Sequence, residues 1–313
     1  MNENITIGID IGGTNIELAW VKKDSSILKH IKLKTKNYLE ADYLVKDIGN
    51  IILEENKNFS NYNILGIGIG APNGNYFNGT IEFAPNLGWK GIIPLAEMFE
   101  TKTGLKTKLT NDANAAAYAE MIYGGAIDMQ NFLVITLGTG LGSGIVVNGQ
   151  ILYGSTGFAG ELGHTIVENN GRQCKCGRKG CLETYASATG IKKTINNFLD
   201  QTKKASILRS LDNIQAKDIY LAAKQGDECA SKAIDYTGKI LGQHLSDYIA
   251  LFSPEAIFIT GGLAKAHSLL IPAIEKSIDE NCLHIFKNTV KILPSQLLEK
   301  NSGLLGAAAL ITE

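Results

Sequence analysis

The sequence predicts an α/β fold built from two related halves, and three observations carry that expectation. A β-branched run from Ile5 to Asp10 stops at Gly12-Gly13-Thr14 and resumes as the extended run Asn15 to Val21. The same order of strand, glycine turn and strand returns about 125 residues later, as Phe132 to Leu137, Gly138-Thr139-Gly140 and Ile145 to Val147. Helical and extended stretches alternate around both copies. The 313 residues, 44% of them hydrophobic, suffice for about two domains with a core in each.

The elements follow in order. Ile27 to Leu33 is a third extended run, and Tyr38 to Glu55 places apolar residues at helical spacing. Leu65 to Gly70 alternates apolar residues with glycine and meets the breakers Ala71-Pro72-Asn73-Gly74, which reads as a buried strand opening into a loop. Lys106 to Thr110 is a strand candidate, followed by Asn111-Asp112 and the strong helix former Ala113 to Met121. After the second glycine turn, residues 186–225 read as mainly helical and Glu228 to Leu251 as one long helix ahead of Pro254. Ala256 to Thr260 is a short buried strand ending at Gly261-Gly262 before a further helix. Ser302 to Ile311 is an apolar helix suited to packing back on the first half. No low-complexity linker separates the halves.

Composition narrows the function classes. Thirty basic and 31 acidic residues leave a net charge of −1, and no run of five or more Lys/Arg occurs, so neither nucleic acid nor an anionic membrane is an expected partner. The N-terminus lacks a basic region before its apolar run, and no stretch approaches the ~18 apolar residues of a membrane span. A cytoplasmic chain is expected. In that compartment clustered cysteines are metal ligands rather than disulfides. Cys229 and Cys282 stand alone and read as small core residues.

Asp10-Ile-Gly-Gly-Thr14 has the parts of a phosphate cradle. Glycines at a hairpin tip expose backbone N–H groups, Thr14 adds a hydroxyl, and Asp10 is placed to hold Mg²⁺ through water. A plain hairpin turn is the competing reading. Gly138-Thr139-Gly140-Leu141-Gly142 offers the same choice, and Gly261-Gly262, closing a strand before a helix, is a third candidate contact for a nucleotide. None matches the P-loop, which needs Gly-Lys-Ser/Thr. Asn111-Asp112 stands where a strand ends and a helix begins; the pair suits an N-cap, and it also suits a general base fixed on a rigid element.

The densest chemistry lies between Glu161 and Glu183, where 23 residues hold His164, Cys174, Cys176 and Cys181. Three thiols and an imidazole are the number and type that close a tetrahedral structural zinc site, with Gly177 and Gly180 allowing tight turns between ligands. Glu161 and Glu183 bracket the cluster without a metal role. They read either as a solvated surface pair or as acceptors for the vicinal hydroxyls of a sugar, with Asn86 and Asn111 as further donors and acceptors. His164 has two ring nitrogens, so one can bind zinc while the other donates to a hydroxyl. Trp89, close to Asn86, reads as a core aromatic.

Together these motifs resemble the ROK group of bacterial sugar kinases and sugar-responsive repressors over nearly the whole chain. Asp10-Ile-Gly-Gly-Thr14 and Leu137-Gly-Thr-Gly-Leu-Gly142 look like its two phosphate motifs, and Gly261-Gly262 like its adenosine-side glycines. Glu161-Leu-Gly-His164 and Cys174-Lys-Cys-Gly-Arg-Lys-Gly-Cys-Leu-Glu183 are similar to its most specific signatures. The resemblance implies an actin-like, ribonuclease-H-like two-domain sugar kinase fold with a bound structural zinc, hinged over ATP and a hexose. The expected smaller α/β domain comprises residues 1–111 with the C-terminal helix 300–313, and the larger comprises 112–299 with the zinc motif. The resemblance also implies Asp112 as catalytic base, Asn86, Asn111, Glu161, His164 and Glu183 as readers of sugar hydroxyls, and ATP with Mg²⁺ as the phosphoryl source. The family often forms dimers, and a homodimer is the matching expectation.

Ala84-Pro-Asn-Leu-Gly-Trp89 looks like the sugar-contact loop of the family's glucokinases, so phosphorylation of the glucose 6-hydroxyl is the leading expectation. N-acetylglucosamine, mannose and fructose remain alternative substrates, because a small pocket change discriminates them by only a few kcal/mol. The Ala71-Pro72-Asn73-Gly74 loop is less glycine-rich than the family's usual version. A non-catalytic sugar sensor is a third possibility, opposed by the presence of Asp10, Asp112 and both turns. The repressor relatives carry an added helix-turn-helix, for which a first strand beginning by Ile5 leaves no room.

Overall fold

The structure, a computed structural model, describes residues 3–84 and 86–311. It divides into two compact units, Met1–Asp128 with Ile151–Ala159 and Glu299–Glu313, and Met129–Gln150 with Gly160–Leu298. The first unit keeps the helix that begins at Asp112, which the expected boundary assigned to the larger domain; close packing on the C-terminal helix is the reason, as described below.

The first unit opens with β1 (Glu3–Ile11), β2 (Asn15–Lys22) and β3 (Ile27–Lys34), followed by α1 (Ala41–Glu55) and β4 (Tyr62–Gly70). Three short strands, β5 (Gly74–Asn75), β6 (Thr80–Glu82) and β7 (Ile92–Ile93), make a small separate sheet. Then come α2 (Leu95–Thr103), β8 (Thr107–Thr110) and α3 (Asp112–Tyr123). The main sheet has the order β3-β2-β1-β4-β8, with β1 antiparallel to β2 and parallel to β4. Ile5, Ile7, Ile9 and Ile11 line one buried face of β1, and Thr6 and Gly8 are buried on the other, so the strand is covered on both faces. At the edge, β3 exposes Lys29, His30, Lys32 and Lys34, charges that discourage pairing with another chain. The helix expected from Tyr38 begins at Ala41, because Tyr38 closes a preceding 3₁₀ turn with its N–H on Thr35 O.

The second unit repeats the opening with β9 (Phe132–Leu137) and β10 (Leu141–Val147), extended by β11 (Gln150–Ile151). Its helices are α4 (Ala188–Gln201), α5 (Ala216–Lys224) and α6 (Glu228–Phe252), then β12 (Ala256–Thr260), α7 (His267–Asn281) and β13 (Lys291–Pro294). The sheet order is β11-β10-β9-β12-β13, with β9 and β10 antiparallel and β12 parallel to both β9 and β13. Gly261-Gly262 leads into a 3₁₀ turn, Gly262–Ala266, before α7 starts. Among the described residues no helix is long and apolar enough to cross a membrane.

Residues 151–159 pack with the first unit through Asn75. Its amide donates to Thr156 O at 3.0 Å, and Tyr76 stacks on Tyr153 with ring centroids 4.3 Å apart. Gly157, at φ +86°, leaves room for the Asn75 amide, which a Cβ there would meet at 2.5 Å.

The chain ends in α8 (Ser302–Ala309), which lies on β1, β4 and α3 at backbone contact distance. A Cβ on Gly8 would stand 2.4 Å from Leu304 O, and one on Gly68 would stand 1.7 Å from Ala307 O. One on Gly306 would stand 1.6 Å from Ala115 O, so α8 cannot carry a side chain at that position. The alternating glycines of Leu65 to Gly70 thus make a flat strand face on which α8 rests. Since a clash of this kind is with backbone and cannot be relieved by a rotamer change, Gly306→Ala should destabilise the fold by about 1–3 kcal/mol or more. Urea unfolding measures it, and an unchanged midpoint would contradict the packing.

Candidate functional site

The residues singled out in the sequence fall into two sets, one on each unit. In the first unit the β1–β2 turn closes through Gly12 N–H to Asn15 O at 2.9 Å. Thr35 braces it, donating its hydroxyl to Gly12 O at 2.6 Å and its N–H to Thr14 O at 3.1 Å. Because the Gly12 N–H is spent inside the turn, the cradle narrows to Gly13 and Thr14, both exposed. Asn86 lies against this turn: a Cβ on Gly13 would meet the Asn86 Cβ at 3.2 Å.

Asp10, next to the last residue of β1, lies directly opposite Glu17 in the β1–β2 register. Burial raises its carboxyl to about 6, the Asp112 charge adds to the rise, and a hydrogen bond from Asn301 works against it. For Glu17, burial is outweighed by hydrogen bonds from Lys32, Asn301 and His30, which hold it below the usual carboxylate range. Asn301 is the N-cap of α8, its Oδ1 accepting from Leu304 N–H while its Nδ2 donates to Glu17 at 3.1 Å. It was missed in the sequence, although an asparagine just before an apolar helix is a recognisable cap.

Asn111 and Asp112 divide the two readings between them. Asn111 is the N-cap of α3, its Oδ1 accepting from Asn114 N–H at 2.6 Å, which leaves its Nδ2 for a ligand. Asp112 is the first helical residue, exposed at the helix start, with Oδ1 accepting from Ala113 N–H at 2.9 Å. Surrounding protein still desolvates the carboxyl and raises its pKa, while that N–H and the positive end of the helix favour its charged form. A carboxylate raised toward neutrality on a rigid element suits proton abstraction. Trp89 is a core residue, its indole N–H donating to Tyr38 O at 3.1 Å.

In the second unit Gly138 N–H closes the β9–β10 turn on Gly140 O at 3.0 Å, and Ala188 N–H at the start of α4 donates to Gly138 O at 2.9 Å. Thr139 is exposed at the tip. Gly261, at φ +90°, packs on this segment: a Cβ there would meet Leu137 O at 2.7 Å, whereas one on Gly262 would meet nothing within 4 Å. Gly262 therefore leaves an open approach for a ligand, and Gly261 makes the backbone contact that sets it beside the turn.

The ligand atoms of His164, Cys174, Cys176 and Cys181 lie within 4.8 Å of one another. Cys176 Sγ is 3.6 Å from Cys181 Sγ, and Cys174 Sγ is 3.7 Å from His164 Nδ1. Four ligands about 2.3 Å from a central zinc would stand about 3.8 Å apart, so the cluster fits the metal in number, type and spacing. Gly180, at φ +79°, passes so close to Glu168 O that a Cβ would stand 1.8 Å from it. Burial raises the Cys176 thiol, but hydrogen bonds from the Arg178 backbone and guanidinium outweigh it and bring the thiol down to about 6. Arg178 also donates to His164 O at 2.9 Å, tying the loop to the histidine.

Glu161 and Glu183 flank the imidazole. His164 Nδ1 faces the thiols and Glu183 Oε1, the latter at 3.9 Å, while Nε2 lies 4.0 Å from Glu161 Oε2. The ring therefore has one edge toward the thiols and Glu183 and the other toward Glu161. Glu183 Oε1 accepts from the Cys174 thiol at 2.9 Å, and a Cβ on Gly140 would stand 2.5 Å from Glu183 Oε2, so this carboxylate abuts the second glycine turn.

Two mixed sheets, each opened by a glycine hairpin, with a zinc-type loop carrying two carboxylates, make up a sugar kinase fold. Residues 6–313 match the ROK family, and the chain belongs to it. It is similar to the glucokinase of Thermotoga maritima, 33% identical over 311 residues that cover 98% of this chain and 97% of that one. The ROK family glucokinase of Streptomyces griseus, solved in complex with glucose and AMPPNP, superposes with a TM-score of 0.83 at 33% identity, covering 98% of both chains. The xylose repressor of Bacillus spizizenii is 29% identical over 98% of this chain and 77% of its own length.

Metal analysis of the purified protein should find about one zinc per chain, and His164→Ala should lose zinc and weaken hexose binding together, since both claims meet on one ring. Full zinc retention in that variant, or full activity without metal, would contradict the centre. Asp10 gives a pH prediction. Its folded pKa lies above its unfolded value, so its stabilising contribution is complete below about pH 4 and is lost as pH rises through 6. Without divalent cation, Asp10→Asn should therefore gain stability on wild type between pH 4.5 and 7.5. The gain is at most about 3 kcal/mol at about 1.4 per pKa unit, read from denaturation midpoints. A gain that shrinks with pH would refute the shift.

Proposed function

We propose that this chain is an ATP-dependent hexose 6-phosphotransferase acting on glucose. The observation that carries the reading is Asp112, a carboxyl of raised pKa at the rigid start of α3, in a chain similar throughout its length to a glucokinase solved with glucose and AMPPNP. In this reading Asp112 takes the proton of the attacking 6-hydroxyl, and the remaining catalysis is positioning and charge neutralisation. Asn86, Asn111 Nδ2, Glu161, His164 Nε2 and Glu183 read the sugar hydroxyls. Gly13, Thr14, Thr139 and Gly140 cradle phosphates, and Gly262 lies open toward the nucleoside. Asp10 would hold Mg²⁺ through water, which supplies positive charge for the phosphates, and the three thiols with His164 Nδ1 would hold a structural zinc. The family's homodimer and a reducing cytoplasmic setting, which suits clustered thiols, belong to the same proposal.

N-acetylglucosamine, mannose and fructose stay within reach of the same polar set, whose residue types do not distinguish them. A sugar-responsive regulator is the second reading, favoured by the similarity to the xylose repressor. A coupled ATP assay across these hexoses decides between the readings: turnover with glucose supports the kinase, and hexose binding without turnover supports the regulator. Asp112→Asn should lower kcat by roughly 100-fold or more while hexose affinity changes far less, on the usual scale of a general base. Near-normal turnover in that variant would refute the assignment.

A further inference from the structure

Tyr248 is a buried hydroxyl far from the substrate set in sequence, and the proposed chemistry gives it no part. It projects from α6 to the turn that carries Glu161 and His164. Thr165 Oγ1 lies 2.8 Å from Leu162 O and 2.5 Å from Tyr248 Oη, while Tyr248 Oη lies 3.3 Å from Leu162 O. Two hydroxyl protons serve these three oxygens. The two shorter separations select a relay in which Tyr248 O–H donates to Thr165 Oγ1 and Thr165 O–H donates to Leu162 O, each bond polarising the next. Burial raises the Tyr248 phenol, so it keeps its proton.

The other side of the turn is held by β10. Ser143 Oγ donates to Gly160 O and accepts from Leu162 N–H at 3.2 Å. Gly163 sits so close to the same strand that a Cβ would stand 2.1 Å from Leu141 O. Leu162 is one residue after Glu161 and two before His164. Its N–H donates to Gly160 O at 2.8 Å and its carbonyl accepts from Thr165 N–H at 3.1 Å, and the side-chain hydroxyls add a second bond to each group.

We propose that Tyr248, acting through Thr165, is a positioning residue that sets the register of the Glu161–His164 turn toward hexose. The inference rests on the kinase reading above. Tyr248→Phe retains the buried ring and removes only the relay's first proton. Its KM for glucose should rise about 3- to 10-fold, the range of one lost hydrogen bond. Its kcat should stay within about twofold, with the ATP KM and the zinc content unchanged. A merely structural role would lower the melting temperature without this separation of constants. Thr165→Val should raise the glucose KM likewise, and the double variant should be little worse than either single one, since both break a single relay. A glucose KM within twofold of wild type in Tyr248→Phe, equal losses for glucose and ATP, or additive effects in the double variant would overturn the role. An active wild type with an indistinguishable Tyr248→Phe sinks the inference alone, whereas a wild type inactive on every hexose sinks the kinase reading and the inference with it.

Discussion

Backbone contact between the C-terminal helix and the first sheet is the constraint on which the first site depends. Gly8, Gly68 and Gly306 let backbone meet backbone where α8 settles against β1, β4 and α3, since a Cβ at any of the three would clash with a carbonyl. This contact brings three chain segments to one place: Asp10 at the end of β1, Asp112 at the start of α3, and Asn301 at the cap of α8. Gly303 also yields space to Asp10, whose Oδ2 would lie 3.0 Å from a Cβ there. The shifted pKa of Asp10 is thus a product of the seam. Burial and the charge of Asp112 on a neighbouring helix raise it, and the amide of Asn301 at the cap of the last helix offsets part of the rise.

The second unit solves a similar problem with different means. Its glycine turn is fixed by α4 and by Gly261, and its carboxylates are fixed by a loop that three thiols and a histidine can close around a metal. Glu183 joins these parts, touching a thiol with one oxygen and the glycine turn with the other. A displacement of the cysteine loop would therefore reach the β9–β10 glycine turn directly. The hydroxyls of Ser143 and Thr165 add further hydrogen bonds to the Glu161–His164 turn at Leu162.

Much of this was legible in the chain because it is written in local patterns. Ile5 to Asp10 and Phe132 to Leu137 are β-branched or apolar runs ended by glycine, and both are strands. The ligand spacing from His164 to Cys181 is a short-range property and converges as expected. Short strands were not legible: β5 and β7 have two residues each, too few for any periodicity. The expected boundary lies before Asp112, whereas α3 packs on α8 and groups with the first unit.

The sequence by itself determined which residues could do chemistry and which turns could present them, since side-chain type and glycine placement are local. Only the tertiary structure decided how those groups are tuned and held. Gly12 and Gly138 spend their N–H groups within their own turns, Asn111 caps α3 while Asp112 stays available, and Asp10 is raised by burial and the Asp112 charge against an opposing hydrogen bond from Asn301 near the far end of the chain. Tyr248 and Thr165 are 83 positions apart and meet at one carbonyl. Desolvation and hydrogen-bond geometry depend on every atom nearby, whatever its place in the chain, and no pattern along the sequence encodes that sum.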